Sequence, residues 1–286
     1  MTRSEAPLRS EAAGQERPAG SAVATPTGPV IVLTYPHAGG GELSSLLARH
    51  PDLACTAGTG ILPLCEQAAA AWGAVDDRPN GPPSRLAETS TRALATSMIT
   101  ALLVRQGKRR WCEVATAAPD AATAFVRLFP STRIVCLHRA WQDVVGAAVR
   151  ASPWGLSGAE FTPFVSAHPA SAAAALTAYW VARTTSLLAF EQAHPGICHR
   201  VRYEDLAGDS VSGLSSFLGL ADQGPVPSAW LYEDSAVPAR GTTSPGPGFP
   251  AGQLPPPLLE RASALMESLG YQPHGLATER GSEYVE

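Results

Sequence analysis

The feature that most constrains this chain is a strand, a glycine-rich turn and a helix that follow one another between residues 30 and 50. Residues 30–33 begin an unbroken apolar, β-branched run, which is typical of a strand buried on both faces. The chain then turns through Pro36 and the glycines at 39–41, and apolar residues recur at 43, 46 and 47 before His50-Pro51 ends the helix. Such a unit aims backbone N–H groups and a helix N-terminus at one point, and it predicts an anion site, above all for phosphate.

The same pattern also occurs in α/β proteins whose turn binds no ligand. The turn is not a Walker A loop, because no Gly-Lys-Ser/Thr follows it, and it does not match GxGxxG. On this stretch alone, phosphate binding and a turn without a ligand both stay open.

Composition and charge exclude several classes of protein. With 286 residues, 45% of them hydrophobic and 16% charged, the chain is long enough for one domain of ordinary size. A net charge of −4 gives no electrostatic case for a nucleic-acid partner. The sequence has no apolar run of membrane length and no apolar core of a signal peptide, so we expect a cytoplasmic protein without a membrane partner.

Five cysteines are scattered along the chain, and none has CxxC spacing. This pattern favours reduced, mostly buried thiols over disulfides or zinc ligands. No HExxH motif or cluster of His and Cys appears, so we expect no metal site.

Strands alternate with helices along the chain, which predicts an α/β fold with a central parallel sheet flanked by helices on both faces. We expect a disordered tail at 1–28, one domain at 29–272 and a C-terminal tail at 273–286. Further strands are predicted at 52–56, 111–114, 133–137 and 197–203. Further helices are predicted at about 61–72, 119–129, 142–150, 176–190, 209–218 and 258–269. One more helix is predicted after an N-cap at Ser84, with its buried stripe at residues 94, 98, 101 and 102. Phe161 and Phe164 are predicted to lie in a loop.

Four segments, in this order, resemble the sulfotransferases that use 3′-phosphoadenosine 5′-phosphosulfate (PAPS). They are Tyr35-Pro36-His37-Ala38-Gly39-Gly40-Gly41, the run from Ile134 to Val145 with its His138-Arg139 turn, Val201-Arg202-Tyr203-Glu204-Asp205-Leu206 followed by Phe217-Leu218-Gly219-Leu220, and Arg240-Gly241. The resemblance spans residues 29–272. It implies a P-loop-type sulfotransferase fold and PAPS as the co-substrate.

The resemblance also implies which residues hold the nucleotide. The glycine-rich loop matches the family's phosphosulfate loop, Arg139 its 3′-phosphate arginine, and Arg240-Gly241 the pair that closes over the nucleotide, whereas Tyr203 packs beside it. The implied co-substrate residues are His37, Ala38, Gly39, Gly40, Gly41, Glu42, Arg139, Tyr203, Arg240 and Gly241.

This chain departs from the family pattern mainly in the loop. His37 replaces a lysine or arginine, Gly40 and Gly41 replace threonines, and Glu42 stands where many members have tryptophan. Two further departures are Val114 for a lysine of bacterial members and Ala147 for a serine. Sulfotransferases of glycopeptide antibiotics resemble this chain in a Tyr-Pro-Lys-Ala-Gly-Gly loop, so backbone N–H groups can replace the hydroxyls.

Sulfuryl transfer requires the protein to align donor and acceptor and to offset charge on the leaving phosphate. His37 supplies a cation only when it is protonated, so we expect activity to fall as the pH rises above neutrality. The alternative is a histidine that only caps the helix turn. For Arg139 the alternative is a surface pair with Asp143, and Arg240 is either a lid residue or simply solvated.

The general base must lie within hydrogen-bond reach of the acceptor. Glu113, at a predicted strand end, is the better candidate and Glu66 the second, although a structural partner is the commoner explanation for such a glutamate. His37 and Glu113 are therefore the catalytic candidates, while Glu204 and Asp205 are interpreted as structural. Trp72, Trp154, Phe161 and Phe164 either line an acceptor pocket or pack in the core.

We therefore expect a PAPS-dependent sulfotransferase that acts on a hydroxyl or amine of a small-molecule acceptor. An Ala-, Pro- and Gly-rich composition is typical of high-GC bacteria, which favours a natural-product acceptor by association. The alternative is a sulfotransferase-fold protein with a degenerate donor site, which binds a partner or uses a different phosphorylated ligand. The acceptor pocket is expected in the loops at 57–83, 151–170 and 221–255, and a homodimer is left open.

Overall fold

The computed structural model describes residues 28–75, 85–116, 119–151, 160–206, 210–220 and 254–271. Its five strands form one all-parallel sheet in the order β2-β3-β1-β4-β5, which confirms the predicted α/β class. The strands are β1 (Val30–Leu33), β2 (Leu53–Ala57), β3 (Arg110–Ala115), β4 (Arg133–His138) and β5 (Cys198–Arg202). The two predicted tails fall almost entirely outside the described residues.

Helices connect the strands and cover both faces of the sheet. A 3₁₀ turn at Tyr203–Asp205 follows β5 directly. The helices are α1 (Gly40–Ala48), α2 (Ile61–Val75), α3 (Arg85–Gln106), α4 (Pro119–Leu128), α5 (Trp141–Ala151), α6 (Thr162–Ala167), α7 (Ala172–Ala193), α8 (Ser210–Leu218) and α9 (Pro256–Ser268).

The residues of β1 show why its sequence is apolar throughout. Val30 and Val32 pack against α1 and α8 on one face, and Ile31 and Leu33 pack against α2, α3, α4 and α7 on the other. All four side chains are buried. A strand in the middle of a doubly covered parallel sheet must be apolar at every position, because both faces contact helices.

A third apolar cluster joins α5, α6, α7 and α9 to the carboxyl end of β1. It contains Tyr35 from the end of β1, Trp141 from α5 and Trp180 from α7. This cluster fixes α7 beside the edge of the sheet at which the glycine-rich loop begins.

One local prediction was wrong in part and a second was wrong. The buried stripe of α3 consists of Ala87, Thr91, Ala95 and Ile99, and the predicted positions 98 and 102 are half-buried against the same cluster, whereas Leu94 is 46% exposed and Ala101 is also exposed. Ala87, Thr91 and Ala95 are small, which lets this face of the helix pack closely against its neighbours, so the partner surface rather than the hydrophobicity of single residues decided which face is buried. Residues 162–167, expected within a loop, form the short helix α6.

Candidate functional site

The candidate site lies at the carboxyl end of β1, which pairs with β3 on one side and with β4 on the other. Chain connections leave the sheet in opposite directions on either side of β1, and ligands of α/β proteins bind at such a point. The loop from Thr34 to Gly39, the turn after β4 and the turn after β5 meet there.

The glycine-rich loop adopts left-handed backbone torsions at two positions. His37 has φ 65° and Gly39 has φ 98°, and α1 begins at Gly40 immediately afterwards. The N–H of Leu43 donates to the carbonyl of Gly39 at 3.1 Å, so Gly39 is the cap of α1. The N–H groups of the first helical turn have no partner within the helix, and such groups at a helix N-terminus favour a negative charge.

Two of the three consecutive glycines are required by close contacts. A Cβ on Gly39 would overlap the ring of Tyr203, and a Cβ on Gly40 would lie 2.8 Å from Val114 Cγ1. A Cβ on Gly41 would meet nothing within 4 Å. Gly39 and Gly40 therefore leave room for neighbouring side chains of the protein, whereas Gly41 borders open space.

Arg139 follows β4 and reaches back to the loop. Its Nη1 donates to the His37 carbonyl at 3.0 Å, and its guanidinium lies 4.1 Å from the centroid of the Tyr203 ring. Its Nε is buried without a hydrogen-bond partner among the described residues. Within the same part of the chain no carboxylate forms an ion pair with Arg139, so the alternative pairing with Asp143 is not observed.

Buried side chains fix the backbone of Arg139 on both sides. Its N–H donates to the Tyr35 hydroxyl at 3.1 Å, and its carbonyl accepts from that hydroxyl at 3.2 Å and from Trp180 Nε1 at 3.0 Å. Burial raises the pKa of Tyr35 to about 12, so its hydroxyl remains protonated and able to donate. The position of Arg139 is therefore set by β1 and α7 as well as by its own strand.

The imidazole of His37 is solvent-exposed beside this arginine. Partial burial and the positive charge of Arg139 both lower the pKa of His37 from 6.5, so the ring is mostly neutral at neutral pH in the free protein. Glu42 lies half-buried in the first turn of α1, a position at which a negative charge is favoured by the helix dipole.

The two carboxylates after Tyr203 have structural partners. Glu204 Oε1 accepts from the N–H of Ala140 at 3.0 Å, and Glu204 Oε2 accepts from the hydroxyl of Tyr271 at 2.7 Å. Asp205 pairs with Arg202 at 2.6 Å. Glu204 thus links the turn after β5 to the turn after β4.

Glu113 is 2% exposed and lies in β3, where it faces the turn between β2 and α2. Its Oε1 accepts from the N–H of Thr59 at 2.7 Å and from the hydroxyl of Thr59 at 2.9 Å, and its Oε2 accepts from the hydroxyl of Thr56. The carboxylate therefore has the structural partners that the sequence left open, and its role as a general base stays a prediction.

Several other predicted positions are not brought together with the loop by any observed contact. Glu66 is half-buried on α2, Trp72 is 42% exposed, and Phe161 packs against Tyr179 with ring centroids 4.3 Å apart. Trp154, Arg240 and Gly241 lie outside the described residues.

The sequence did not indicate which side chains hold Arg139 in place. Tyr35 was assigned only to the loop, Trp180 only to the helix predicted at 176–190, and Tyr271 to no role. Tyr35 and Arg139 are 104 residues apart in the chain, and no local pattern reports such a contact.

A groove of about 330 Å³ lies between α6, α7 and α9. Phe164, His168 and Pro255 on its wall belong to two of the segments expected to form the acceptor pocket. The described residues contain no group of three or more His, Cys, Asp or Glu side chains arranged to hold a metal ion. None of the helices in the described part of the chain has the length and apolar character to cross a bilayer.

Comparison with known proteins gives a family match over most of the chain. The model of the family described as "Sulfotransferase family" matches residues 29–222. No curated protein sequence matches the chain.

A solved sulfotransferase domain with a TM-score above 0.5 shares this fold, and two further solved structures are similar at lower scores. The sulfotransferase domain from the Curacin biosynthetic pathway is 17% identical, with a TM-score of 0.52 over 86% of this chain and 98% of that one. A sulfotransferase from Alicyclobacillus acidocaldarius is 14% identical, with a TM-score of 0.49 over 87% of this chain and 98% of the other. A mouse sulfotransferase complexed with PAP is also 14% identical, with a TM-score of 0.46 and coverage of 86% of each chain.

Proposed function

Because this chain belongs to the sulfotransferase family, we propose that it moves a sulfuryl group from PAPS to a hydroxyl or amine of a small-molecule acceptor. The observation that carries this proposal is the guanidinium of Arg139. It is held against the glycine-rich loop and has a buried Nε without a partner among the described residues. A buried donor without an acceptor is costly, and a phosphate oxygen is the acceptor that an arginine at this place fits best.

The residues present fit the nucleotide of PAPS. The N–H groups at the start of α1 would hold the phosphosulfate end, and the open space beside Gly41 leaves room for it. Arg139 would hold the 3′-phosphate, and Tyr203 supports the arginine through its ring. Arg240 and Gly241 remain candidates for closing over the nucleotide.

His37 takes the place of the family's permanent cation. A bound polyanion raises the pKa of a neighbouring imidazole, so His37 becomes charged when the nucleotide binds and then offsets charge on the leaving phosphate. Glu113 is the candidate general base, but it can accept a proton from an acceptor only if it releases Thr56 or Thr59.

The proposed acceptor class follows from the loop sequence and the composition. The glycine-rich loop resembles that of sulfotransferases of glycopeptide antibiotics, and the Ala-, Pro- and Gly-rich composition is typical of high-GC bacteria. Both favour a natural product as the acceptor.

Calorimetry of the purified full chain with adenosine 3′,5′-bisphosphate (PAP), the product of the donor, tests the proposal. We expect PAP to bind saturably and ATP to bind more weakly, because ATP has no 3′-phosphate that Arg139 could contact. No binding of PAP at millimolar concentration would indicate a degenerate donor site, and tighter binding of ATP would indicate a different phosphorylated ligand. Release of PAP from PAPS upon addition of candidate acceptors then tests catalysis.

A further inference from the structure

The segment that follows α9 is attached to the turn after β5 by three contacts. The hydroxyl of Tyr271 donates to Glu204 Oε2 at 2.7 Å, and Arg202 Nη1 donates to the carbonyl of Gly270 at 2.9 Å. The Arg202 guanidinium also lies 5.4 Å from the centroid of the Tyr271 ring. Burial and the carboxylate of Glu204 raise the pKa of Tyr271 well above its usual value, so the hydroxyl stays protonated and acts as the donor.

The other oxygen of Glu204 holds the turn that carries Arg139. Glu204 Oε1 accepts from the N–H of Ala140, the residue directly after Arg139. The carbonyl of Ala140 in turn accepts from the N–H groups of Asp143 and Val144 and so begins α5. Glu204 therefore bridges Tyr271 and the peptide between Arg139 and Ala140.

The same turn also carries the ring on which the arginine lies. Tyr203, next to Glu204, is 5% exposed and packs between Gly39 and the Arg139 guanidinium. A shift of Glu204 would move the support of the arginine side chain and of its backbone together.

We propose that Tyr271 is a positioning residue for the donor nucleotide, which acts through Glu204 on Arg139. Tyr271 lies beyond residues 29–222, the part of the chain that the family model covers, so the donor site includes a contribution from the segment after α9. The inference rests on the proposed function, because it takes Arg139 as the ligand of the 3′-phosphate.

Calorimetry with PAP and with adenosine 5′-phosphate, which lacks the 3′-phosphate, tests the inference on the full chain. Loss of one hydrogen bond to a charged group corresponds to roughly a tenfold change in an equilibrium constant. Tyr271→Phe is therefore expected to raise the Kd of PAP by up to about tenfold and to leave the Kd of adenosine 5′-phosphate unchanged. Tyr179→Phe is the matched control, because the buried Tyr179 hydroxyl has no hydrogen-bond partner among the described residues, and it should change neither Kd.

A second pair of variants separates positioning from a general loss of structure. Glu204→Ala removes the oxygen that accepts from the Ala140 N–H, so it should bind PAP more weakly than the wild type. Glu204→Gln keeps such an oxygen and should retain most of the PAP affinity. In an Arg139→Ala background, Tyr271→Phe should have no further effect on PAP binding, because the residue that it positions is absent.

The outcomes distinguish the inference from the proposed function. An equal weakening of both nucleotides by Tyr271→Phe, or an unreduced effect in the Arg139→Ala background, would overturn the inference and leave the proposed function intact. Failure of the wild-type chain to bind PAP would overturn the proposed function, and the inference with it. Thermal unfolding of each variant verifies that it is folded, and Glu204→Ala takes the place of Tyr271→Phe in both nucleotide comparisons if Tyr271→Phe does not fold.

Discussion

The loop after β1 and the turn after β4 lie at the same edge of the sheet but keep their shapes by different means. The loop depends on backbone torsion and close fit: Gly39 has φ 98° and leaves no space between itself and Tyr203. The turn depends on hydrogen bonds from buried side chains, because Tyr35 and Trp180 hold the peptide groups of Arg139.

We propose that this difference explains why the chain departs from the family pattern at His37, Gly40 and Gly41. Main-chain N–H groups bind an anion whatever side chain they carry, so the loop tolerates histidine and glycine where other members have lysine and threonine. A bidentate contact with phosphate needs a guanidinium, and the turn keeps its arginine. We infer that the loop supplies a general attraction for anions and that the turn supplies selectivity for a nucleotide with a 3′-phosphate.

The largest expected effect comes from breaking the fit of the loop. Gly39→Ala places a Cβ against Tyr203 at a left-handed torsion and should lower the free energy of unfolding by about 2–3 kcal/mol. Gly41→Ala is the control, because its Cβ meets nothing, and it should stabilise the chain by up to about 1 kcal/mol as a helical Gly-to-Ala change. Urea unfolding measures both, and equal destabilisation by the two variants would contradict the steric account.

The next effect comes from breaking the support of the turn. Tyr35→Phe leaves the N–H of Arg139 without its partner and should lower the free energy of unfolding by about 1–3 kcal/mol. Tyr179→Phe removes a buried hydroxyl that has no partner among the described residues, so it should be neutral or stabilising in the same unfolding assay. Equal free energies of unfolding for Tyr35→Phe and Tyr179→Phe would contradict the role of the Tyr35 hydroxyl in holding the turn.

A smaller effect is expected from the charge of His37. Its pKa is lowered in the free chain and is raised by a bound polyanion, so binding takes up a proton. The PAP affinity should then be highest below the free-state pKa of His37 and should fall, by roughly tenfold, as the pH rises through its pKa in the complex. His37→Lys carries a permanent cation and should lose this dependence between about pH 6 and pH 8. A PAP affinity of the wild type that stays constant over that range would exclude the role.

The smallest effect is expected at Glu42. Its carboxylate stands in the first turn of α1 and repels a second anion at the same helix end. Glu42→Gln should strengthen PAP binding by about two- to fivefold at low salt, and the gain should shrink as salt is added. Weaker binding by the variant would contradict this repulsion, because it would indicate that the Glu42 carboxylate accepts a hydrogen bond from the nucleotide.

The spacing of apolar residues predicted most of the fold, because it indicates which side chains of a strand or helix are buried. The apolar run at 30–33 gave the central strand, and the helix predicted at 209–218 ends at Leu218, before Gly219 with φ 63°. The predicted stripe of α3 was correct at 98 and 102 but wrong at Leu94, which is larger and more apolar than Ala95 and yet faces outward. Which face of a helix is buried depends on the partner surface, and the sequence of that helix does not contain this information.

The site was predictable only where a motif is continuous in sequence. The residues at 37–42 and Arg139 lie in such motifs, and the structure brings the loop and the arginine together through the bond from Arg139 to the His37 carbonyl. The link from Tyr271 to Glu204 joins residues 67 positions apart, and neither residue has a pattern around it that signals the contact. Long-range hydrogen bonds of this kind follow from the packed fold, so they became visible only in the structure.

The central claim is that Arg139 gives the site its selectivity for a 3′-phosphate. Calorimetry of the wild type and of Arg139→Ala, each with PAP and with adenosine 5′-phosphate, tests it most directly. We predict that the wild type prefers PAP by roughly tenfold to a hundredfold and that Arg139→Ala binds the two nucleotides with similar affinity. An unchanged preference for PAP in Arg139→Ala would contradict the account.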